Sequence, residues 1–413
     1  MIPGDPRTRT RERNWAGTHT YAYRRLVHPQ SQKDVTTLVA GASSVRAVGS
    51  RHSFNDVCDS DEWLVDVSGL AREPVVDVPG RTVTVTAGTR FGAVVRAVAA
   101  HDLALPNLGS LPHISVVGAV STGTHGSGSA QQVLAAGVSR VRYVAASGRV
   151  RETRRGDPDF AGCVVALGAL GIVLEVDLDL VPSFMLRQTC RAVRWSDVAG
   201  RLPEVLDDGY SVSVFTRWQD DDPTEVLRKA VPSPGAPAGP ASDPSLLLGD
   251  GPNLTERDRD LPWHRVLPHF RVDHRPSFGA EIQSEYLVPR ERATEAAAAV
   301  TALAPLLDPV LVLGEVRSVA ADDLWLSPAH GRDSLCLHFT WLPRADEVAE
   351  AQRHLGAALA PLGARPHWGK VFAPHLFDLA ALYPRLDDAR ALLSRQDPDG
   401  VFRNDFVARV LAR

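Results

Sequence analysis

The chain has 413 residues, 44% of them hydrophobic, which is enough to fill the cores of two or three domains. Its 45 basic and 49 acidic residues give a formal net charge of −4 at pH 7 and are intermixed along the sequence. Because there is no basic stripe, the composition argues against nucleic acid or an anionic lipid surface as a partner and favours a small neutral substrate.

Cysteine spacing and hydropathy bear on where the protein works. Cys58, Cys163, Cys190 and Cys336 are far apart and form no C-x-x-C pair, which argues against a zinc site and a secreted disulfide framework. The first residues carry positive charge with no apolar run behind them, and no later stretch is long enough to span a bilayer. We expect a cytoplasmic protein without a metal, and the lack of a coiled-coil pattern favours a monomer.

The first 180 residues alternate short strands with helices. Apolar periodicity and turn residues predict, in chain order, a helix over 31–42, a strand over 45–48, a hairpin of 75–78 and 82–86, a helix over 91–101, a hairpin of 141–144 and 149–151, and a strand over 174–180. This order predicts an α+β domain with mixed sheets.

The pattern changes from Met185 onward, and a second domain is expected to begin there. Longer helices, such as the one predicted over 290–307, alternate with strands that are polar on one face. The stretch 232–252 is rich in Pro, Gly, Ala and Ser, with structured-looking sequence on both sides. It predicts a mobile surface loop within this domain rather than a domain boundary.

Two small-residue segments contain a histidine each, in Val48-Gly-Ser-Arg-His-Ser-Phe-Asn55 and Gly118-Ala-Val-Ser-Thr-Gly-Thr-His-Gly126. Gly49 and Ser50 can bring backbone N–H groups close to a pyrophosphate, and His52 then projects a ring nitrogen towards a flavin edge. A histidine in such a loop is otherwise usually a turn or capping residue. The two segments together predict two walls of a flavin site.

Two strands of the second half carry polar side chains on one face. In Leu311–Ser318, strand alternation places Glu315 and Arg317 together with Leu313. An acid and a guanidinium on one surface indicate a polar site, and the alternative is a cross-strand salt bridge.

The strand Leu335–Trp341 has apolar residues at every odd position and Cys336, His338 and Thr340 at the even ones. It is therefore expected to bury one side and to present hydrogen-bonding groups on the other. The two strands would form a polar floor, although His338 alone would more often be a satisfied core histidine.

Lysine is rare in this chain. Lys33, Lys229 and Lys370 stand against 42 arginines, so a lysine at the end of Arg365-Pro-His-Trp-Gly-Lys370 indicates a need for a compact ammonium. Burial or neighbouring cations can lower the pKa of a lysine, which arginine cannot match. A solvated surface lysine is the alternative.

Seven motifs in this order carry a resemblance to a known family: GSRHSFND, LPNLGSLPHISVVGAVSTGTHGSG, AEIQSEYLVPRE, GEVRSVAADDLWLSPAHGRD, HFTWLPR, RPHWGKVF and DPDGVFRNDFV. Over nearly its whole length the chain resembles the alditol oxidases of the vanillyl-alcohol oxidase family. The resemblance implies a two-domain α+β fold with an FAD-binding domain over 1–183, a substrate or cap domain over 184–370, and a segment over 371–413 that returns to the FAD-binding domain.

The resemblance also implies FAD joined covalently through His52. Arg51 stands where the family often has glycine before the linked histidine. The residues implied to hold the cofactor are Val48, Gly49, Ser50, Arg51, His52, Ser53, Gly109, Ser110, Gly118, Ser121, Thr122, Gly123, Thr124, His125, Gly126, Gly171, Ile172 and Lys370.

The implied substrate is a linear polyol such as xylitol or sorbitol, oxidised at its terminal alcohol to the aldose. Hydride would pass to flavin N5, and O2 would reoxidise the flavin and give hydrogen peroxide, with Gly109 leaving room for the oxygen molecule. His338 is the expected base and Lys370 its electrostatic partner, and Glu315 and Arg317 complete the catalytic group. The implied substrate-binding residues are Ser110, Gln283, Glu315, Arg317, Thr340 and Lys370.

Other functions stay open at this point. A sibling activity on sugar 1,4-lactones, as an aldonolactone oxidase or dehydrogenase, is one alternative. A metal-dependent hydrolase using His52, His113 and His125, or a binding protein without turnover, is a remote one, since no H-E-x-x-H or comparable ligand spacing is present. The natural substrate is also open, with a cyclitol, an amino-polyol or a natural-product intermediate as options.

Overall fold

The computed structural model describes residues 12–233, 240–249, 251–273 and 280–411, so part of the predicted loop 232–252 lies outside the described residues. The strands are β1 (Arg25–Val27), β2 (Val45–Val48), β3 (Trp63–Asp66), β4 (Val75–Asp77), β5 (Thr82–Thr86), β6 (Leu103–Ala104), β7 (Val138–Val144), β8 (Val150–Arg154), β9 (Ile172–Asp179), β10 (Val181–Pro182), β11 (Met185–Val193), β12 (Ser211–Thr216), β13 (Thr224–Ala230), β14 (Asp260–Pro262), β15 (Ile282–Pro289), β16 (Leu311–Val319), β17 (Ser334–Trp341) and β18 (Arg365–Pro366).

The helices are α1 (Gln32–Gly41), α2 (Phe91–Ala99), α3 (Val116–Ser121), α4 (Phe160–Val164), α5 (Trp195–Ala199), α6 (Leu202–Asp207), α7 (Ala293–Leu307), α8 (Ala345–Leu359), α9 (Leu379–Leu382), α10 (Leu386–Gln396) and α11 (Asp405–Val410). Together with the strands they make an α+β protein, as the sequence predicts. Among the described residues, no helix is both long and apolar enough to cross a bilayer. The four cysteines carry free thiols.

Three sheets form from the first 182 residues. A three-stranded parallel sheet has the order β1-β3-β2, a five-stranded antiparallel sheet has the order β4-β5-β9-β7-β8, and β10 pairs with β6. The prediction of mixed sheets is therefore wrong for the described residues. The hairpin turns give antiparallel neighbours, whereas α1 joins strands that run the same way.

Local sequence explains how the chain enters the site. Ser31 caps α1 through a capping box with Asp34, and the helix buries Val35 and Val39. The chain then runs through the buried strand β2, which pairs in parallel with β3 and ends at Val48. The loop over 48–55, here called the histidine loop, therefore begins at the carboxyl end of a strand held by its neighbour.

An eight-stranded antiparallel sheet contains every strand from β11 to β18, in the order β14-β11-β13-β12-β16-β17-β15-β18. On one face the register aligns Glu315 with His338 and His338 with Glu285, on three neighbouring strands. On the other face α7 and α8 pack over β15, and Phe339 stacks on Trp341 with ring centroids 5.3 Å apart. Both faces of β17 are thus buried, so the prediction that it buries only one side is wrong.

The last residues contact the first sheets. The N–H of Val45 donates to the carbonyl of Val401 at 2.8 Å, and Asn404 donates to the carbonyls of Asp56 and Asp59 at 3.0 and 2.9 Å. On this basis we propose the division into 1–183, 184–370 and 371–413.

Substitution of Arg46 tests how much the contacts of the last residues with the first sheets contribute to the free energy of unfolding. Its guanidinium is buried and donates to the carbonyls of Phe402, at 2.6 Å, Val57 and Leu167. Arg46→Met leaves three buried acceptors without a donor, so we expect the free energy of unfolding in urea to fall by about 3 kcal/mol. The exposed Arg24, as Arg24→Met, is the control, and equal stabilities of the two variants would contradict this role.

Candidate active site

A cavity of about 250 Å³ lies between the histidine loop and the polar face of the eight-stranded sheet. The structure brings most of the predicted site residues together in its wall. These are Val48, Gly49, Ser50, Arg51, His52, Ser53, Gly109, Ser110, Gly118, Ser121, Thr122, Thr124, His125, Gly171, Gln283, Glu315, Arg317, His338, Thr340 and Lys370.

Three predicted cofactor residues do not line this cavity. Gly123 has φ +68°, and a Cβ there would lie 2.6 Å from Cδ of Pro328. A Cβ on Gly126 would lie 2.3 Å from the carbonyl oxygen of Leu108, and Ile172 is fully buried in a separate core cluster. The structure places all three outside the lining of the cavity, and their contact with the cofactor stays a prediction.

Two glycines make room on one side of the cavity. A Cβ on Gly49 would lie 2.4 Å from Oγ of Ser115, and a Cβ on Gly118 would lie 2.7 Å from the same atom. The hydroxyl of Ser50 accepts a hydrogen bond from the N–H of Ser115 at 2.9 Å. A side chain at either position would displace the hydroxyl of Ser115, so the two glycines let this serine pack against both segments, in the small-residue surroundings that a nucleotide cradle requires.

His52 has an unused nitrogen beside this cradle. Its ring stacks on Trp15 with centroids 4.9 Å apart, and its Nδ1 lies 3.0 Å from the carbonyl oxygen of Ser50. Its Nε2 is buried and has no hydrogen-bond partner among the described residues. Burial lowers the pKa of His52 to about 4, so the ring is neutral at pH 7. An orphaned, neutral ring nitrogen at a glycine cradle fits a bound flavin nucleotide.

Arg51 adopts the left-handed backbone conformation, with φ +60°. This conformation favours glycine, which explains why a glycine is usual before the histidine. Here ion pairs hold the arginine instead, at 2.6 Å to Glu12 and 2.7 Å to Asp66. The loop therefore keeps its path despite the larger side chain.

The opposite wall contains a buried ion pair that the sequence reasoning missed. Arg317 donates to Glu285, whose carboxylate also lies 3.3 Å from Nε2 of His125 and 3.6 Å from Nδ1 of His338. Nε of Arg317 lies 3.7 Å from Glu315. The alternation of Gln283 and Glu285 on β15, with Glu281 just before the strand, is the sequence signal that indicates Glu285.

The neighbouring charges keep both carboxylates of this wall ionised. Burial raises the pKa of Glu285, but Arg317 and His125 outweigh it and hold that pKa well below its usual value. The pKa of Glu315 is lowered in the same way, against burial, by Arg317 and His269. Burial opposes a charge on His125, yet Cys336 and Glu285 raise its pKa to about 10. Fixed charges of both signs therefore face the cavity.

Lys370 lies in the cavity wall rather than on a solvated surface. It donates to Oε1 of Gln283 and lies 4.8 Å from the ring centroid of Phe54. The amide of Gln283 donates in turn to Glu281. Burial lowers the pKa of Lys370 to about 8, opposed mainly by Glu285, so the ammonium is charged at neutral pH.

The remaining predicted residues lie at the centre of this polar wall. Nη1 of Arg317 donates to the hydroxyl of Ser110 at 3.5 Å, which connects the two walls. The hydroxyl of Thr340 lies 3.3 Å from Nε2 of His338. Burial lowers the pKa of His338, so this ring too is neutral at pH 7.

Within the described ranges, His125, Glu285 and His367 offer ligand atoms within 4.8 Å of one another. The guanidinium of Arg317 already forms an ion pair with Glu285. It would therefore repel a metal cation bound by these three residues. The hydrolase alternative needed His52 and His113 beside His125, and neither belongs to this group. The arrangement is therefore an ion-pair network rather than a metal centre.

Comparisons with known proteins agree with this geometry. Residues 23–154 match the FAD binding domain family, and residues 273–410 match the D-arabinono-1,4-lactone oxidase family. An alditol oxidase from Streptomyces sp. is 41% identical over 411 residues, which cover 96% of this chain and 98% of the relative. An L-gulono-1,4-lactone dehydrogenase from Mycobacterium tuberculosis is 32% identical over 430 residues, with coverages of 96% and 98%.

Solved structures support the fold. Cholesterol oxidase from B. sterolicum superposes with a TM-score of 0.78 at 15% identity, covering 97% of this chain and 96% of that one. The 6-hydroxy-D-nicotine oxidase of Arthrobacter nicotinovorans gives 0.73 at 17% identity, covering 94% and 93%. The chain belongs to the vanillyl-alcohol oxidase family of FAD-dependent oxidoreductases, as an oxidase that acts on a CH–OH group and has an alditol oxidase among its relatives.

Proposed function

We propose that this protein oxidises the terminal alcohol of a linear polyol, such as xylitol or sorbitol, to the aldose, with hydrogen peroxide as the second product. One observation carries this proposal: two parallel rows of polar side chains cross the cavity wall in sheet register, the first Thr340 and Gln283 and the second Glu315, His338 and Glu285. A linear array of fixed donors and acceptors suits consecutive hydroxyl groups, each of which donates and accepts.

The cradle would hold FAD, attached covalently through His52, with Gly49, Ser50 and Gly118 close to its diphosphate. Bound FAD supplies the hydride acceptor, at N5, and the electrons that reduce O2 to hydrogen peroxide. The orphaned Nε2 of His52 and the close packing of Ser115 against Gly49 and Gly118 support this placement.

His338 is the proton acceptor for the substrate hydroxyl in this proposal. The carboxylate of Glu285, 3.6 Å from Nδ1, favours a proton on that nitrogen and leaves Nε2 to accept. Because the ring is neutral at pH 7, it can take a proton there. The ammonium of Lys370 stabilises the negative charge that develops on the oxygen as the proton leaves.

The other wall residues set the orientation and specificity. Glu315 accepts from a substrate hydroxyl, and Arg317 and Gln283 contact the hydroxyls beside it. A substrate without these hydroxyls would leave buried charges unpaired, so simple monoalcohols are poor substrates. A cytoplasmic location and a monomeric state stay predictions.

A sugar-1,4-lactone oxidase or dehydrogenase is the second candidate, since residues 273–410 match the lactone oxidase family and a lactone dehydrogenase is 32% identical. The row of polar side chains favours the polyol, because every carbon of a linear polyol carries a hydroxyl that can donate to groups such as the ionised Glu315, whereas the ring ester of a lactone cannot. Turnover of xylitol, sorbitol and gulono-1,4-lactone, followed both by peroxide release and with an artificial electron acceptor, decides between them. Turnover of the lactone alone would overturn the polyol proposal.

Covalent attachment can be read directly from colour. The purified protein should be yellow, and the colour should stay with the acid-precipitated polypeptide. His52→Ala removes the attaching ring, so acid precipitation should leave colourless protein, whereas His354→Ala, at a partly exposed position of α8, should stay yellow. Yellow acid-precipitated His52→Ala would contradict attachment at His52.

The pH dependence of kcat/KM follows from two groups. His338 gains a proton as pH falls through its pKa, which burial lowers from 6.5, so kcat/KM falls on the acid side. Lys370 loses its charge as pH rises through about 8, so kcat/KM falls there too. We expect a bell-shaped profile in which Lys370→Met lowers kcat/KM and removes the alkaline decline. An alkaline decline retained in Lys370→Met would exclude Lys370 as its source.

Gly109 tests access of oxygen. A Cβ there would make ordinary contacts, at 3.7 Å to the carbonyl oxygen of His125 and 3.8 Å to Thr124, so Gly109→Ala should fold. The added methyl fills space beside the flavin site, so rapid mixing should show slower reoxidation by O2, several-fold, with reduction by xylitol unchanged. Gly137→Ala, where nothing lies within 4 Å, is the matched control. Equal reoxidation rates would show that Gly109 does not admit oxygen.

A further inference from the structure

The reaction outlined above leaves one buried charge unused. Lys229 lies on β13, between β11 and β12, and is only 1% exposed. Its ammonium donates to the carbonyls of Leu267 and Pro268, at 2.6 and 3.4 Å, and lies 3.4 Å from Nδ1 of His269. Three acceptors thus meet the three N–H donors of one ammonium.

This geometry accounts for a lysine in a chain that otherwise uses arginine. A compact ammonium can place three donors towards acceptors on one short loop, whereas a guanidinium would bring five donors in a plane. A buried charge is costly unless its hydrogen bonds are satisfied, and those of Lys229 are. The ammonium is therefore built into this site.

The next residue in the chain of contacts is His269. Nε2 of its ring lies 2.9 Å from Oε1 of Glu315, and Phe215 holds the ring plane through an edge contact with centroids 5.3 Å apart. Burial, together with the charge of Lys229, lowers the pKa of His269 to about 4. The neutral ring carries one N–H proton. Its position on Nδ1 or Nε2 decides whether Glu315 faces a hydrogen-bond donor or a lone pair.

Burial lowers the pKa of Lys229 to about 7, opposed by Glu315, so the side chain is an ammonium below that pH. An ammonium donates and cannot accept, so there Nδ1 of His269 is the acceptor and the ring proton is on Nε2. Nε2–H then donates to Glu315. The opposite tautomer would direct a proton at the ammonium and a lone pair at the carboxylate, and both contacts would be repulsive. The charged groups that face this chain are Glu315 and Arg317, whose Nε lies 3.7 Å from the other carboxylate oxygen.

We propose that Lys229 is a positioning residue: it fixes the tautomer of His269, which donates to Glu315 and holds that carboxylate in the one orientation that receives substrate hydroxyls. The effect on substrate rests on the proposed function, whereas the effect on the tautomer does not. One carboxylate oxygen of Glu315 thereby accepts from His269, and the other faces Arg317.

The tautomer can be measured without substrate, at pH 6, where Lys229 is charged and the ring of His269 is neutral. In holoenzyme labelled with ¹⁵N at histidine, the long-range ¹⁵N–¹H spectrum distinguishes protonated from unprotonated ring nitrogens, and His269→Gln assigns the signals. The wild type should show Nε2 protonated. Lys229→Met should move the proton to Nδ1 for a measurable share of molecules, while Lys33→Met, at an exposed lysine of α1, should not.

Kinetics on xylitol supply the second readout. Loss of one hydrogen bond to a charged group lowers kcat/KM by about tenfold, so Lys229→Met should do this mainly through KM. In His269→Gln the side-chain amide can donate to Glu315, and because an amide NH2 is always a donor, this contact depends on no tautomer. In that background Lys229→Met should change kcat/KM by less than about twofold, since no tautomer is left to fix.

The outcomes separate this proposal from the proposed function. An unchanged Nε2–H signal in Lys229→Met, or equal tenfold losses from Lys229→Met with and without His269→Gln, would overturn the positioning role. If the wild type oxidises no polyol while the tautomer still shifts in Lys229→Met, the proposed substrate fails and the action of Lys229 on His269 stands. Flavin content and melting temperature of each variant identify a folding defect, and His269→Leu, which removes the donor, still reports whether Glu315 needs one at this place.

Discussion

The buried contact between Glu285 and Arg317 is the interaction on which the rest of the site depends. Glu285 lies on β15 and Arg317 on β16, with β17 between them, so one ion pair spans three strands. The same carboxylate lies 3.3 Å from His125, which belongs to the glycine-rich segment of the other wall. The carboxylate of Glu285 therefore contacts both walls of the cavity. Removing either partner of such a pair leaves an uncompensated buried charge, which costs about 3–5 kcal/mol.

This constraint explains the chemistry that the site supports. Since Glu285 holds Arg317 and faces His338, these groups have fixed orientations before any ligand enters. Preorganised charges need no rearrangement when a hydroxyl loses its proton, which is the main way in which such sites stabilise developing charge. The glycine cradle has the opposite character: Gly49 and Gly118 pack against Ser115 and carry no charge. A bulky cofactor on one side and a chain of hydroxyls on the other fit this division.

Local signals in the sequence predicted α1, β2, the two hairpins and the shared face of Glu315 and Arg317, because each depends on neighbours along the chain. The contacts of His269 could not be predicted, because the loop that contains it shows no apolar periodicity and lies over strands that are distant in sequence. The parallel pairing of the first sheet and the burial of both faces of β17 likewise depend on partners outside the segment. Arg51, with its positive φ, forms ion pairs with Glu12 and Asp66, which no pattern near the loop indicates.

The central claim is that Glu285, through Arg317, orients the polar side chains of the cavity wall so that they bind several substrate hydroxyls at once. The most direct test is the ratio of kcat/KM for xylitol to that for 1-pentanol, which has the same chain length and a single hydroxyl, in the wild type and in Glu285→Gln. The account predicts that this ratio falls by about tenfold or more in Glu285→Gln, at equal flavin content, because the charge-assisted contacts to the extra hydroxyls are lost. A ratio equal to that of the wild type would contradict it.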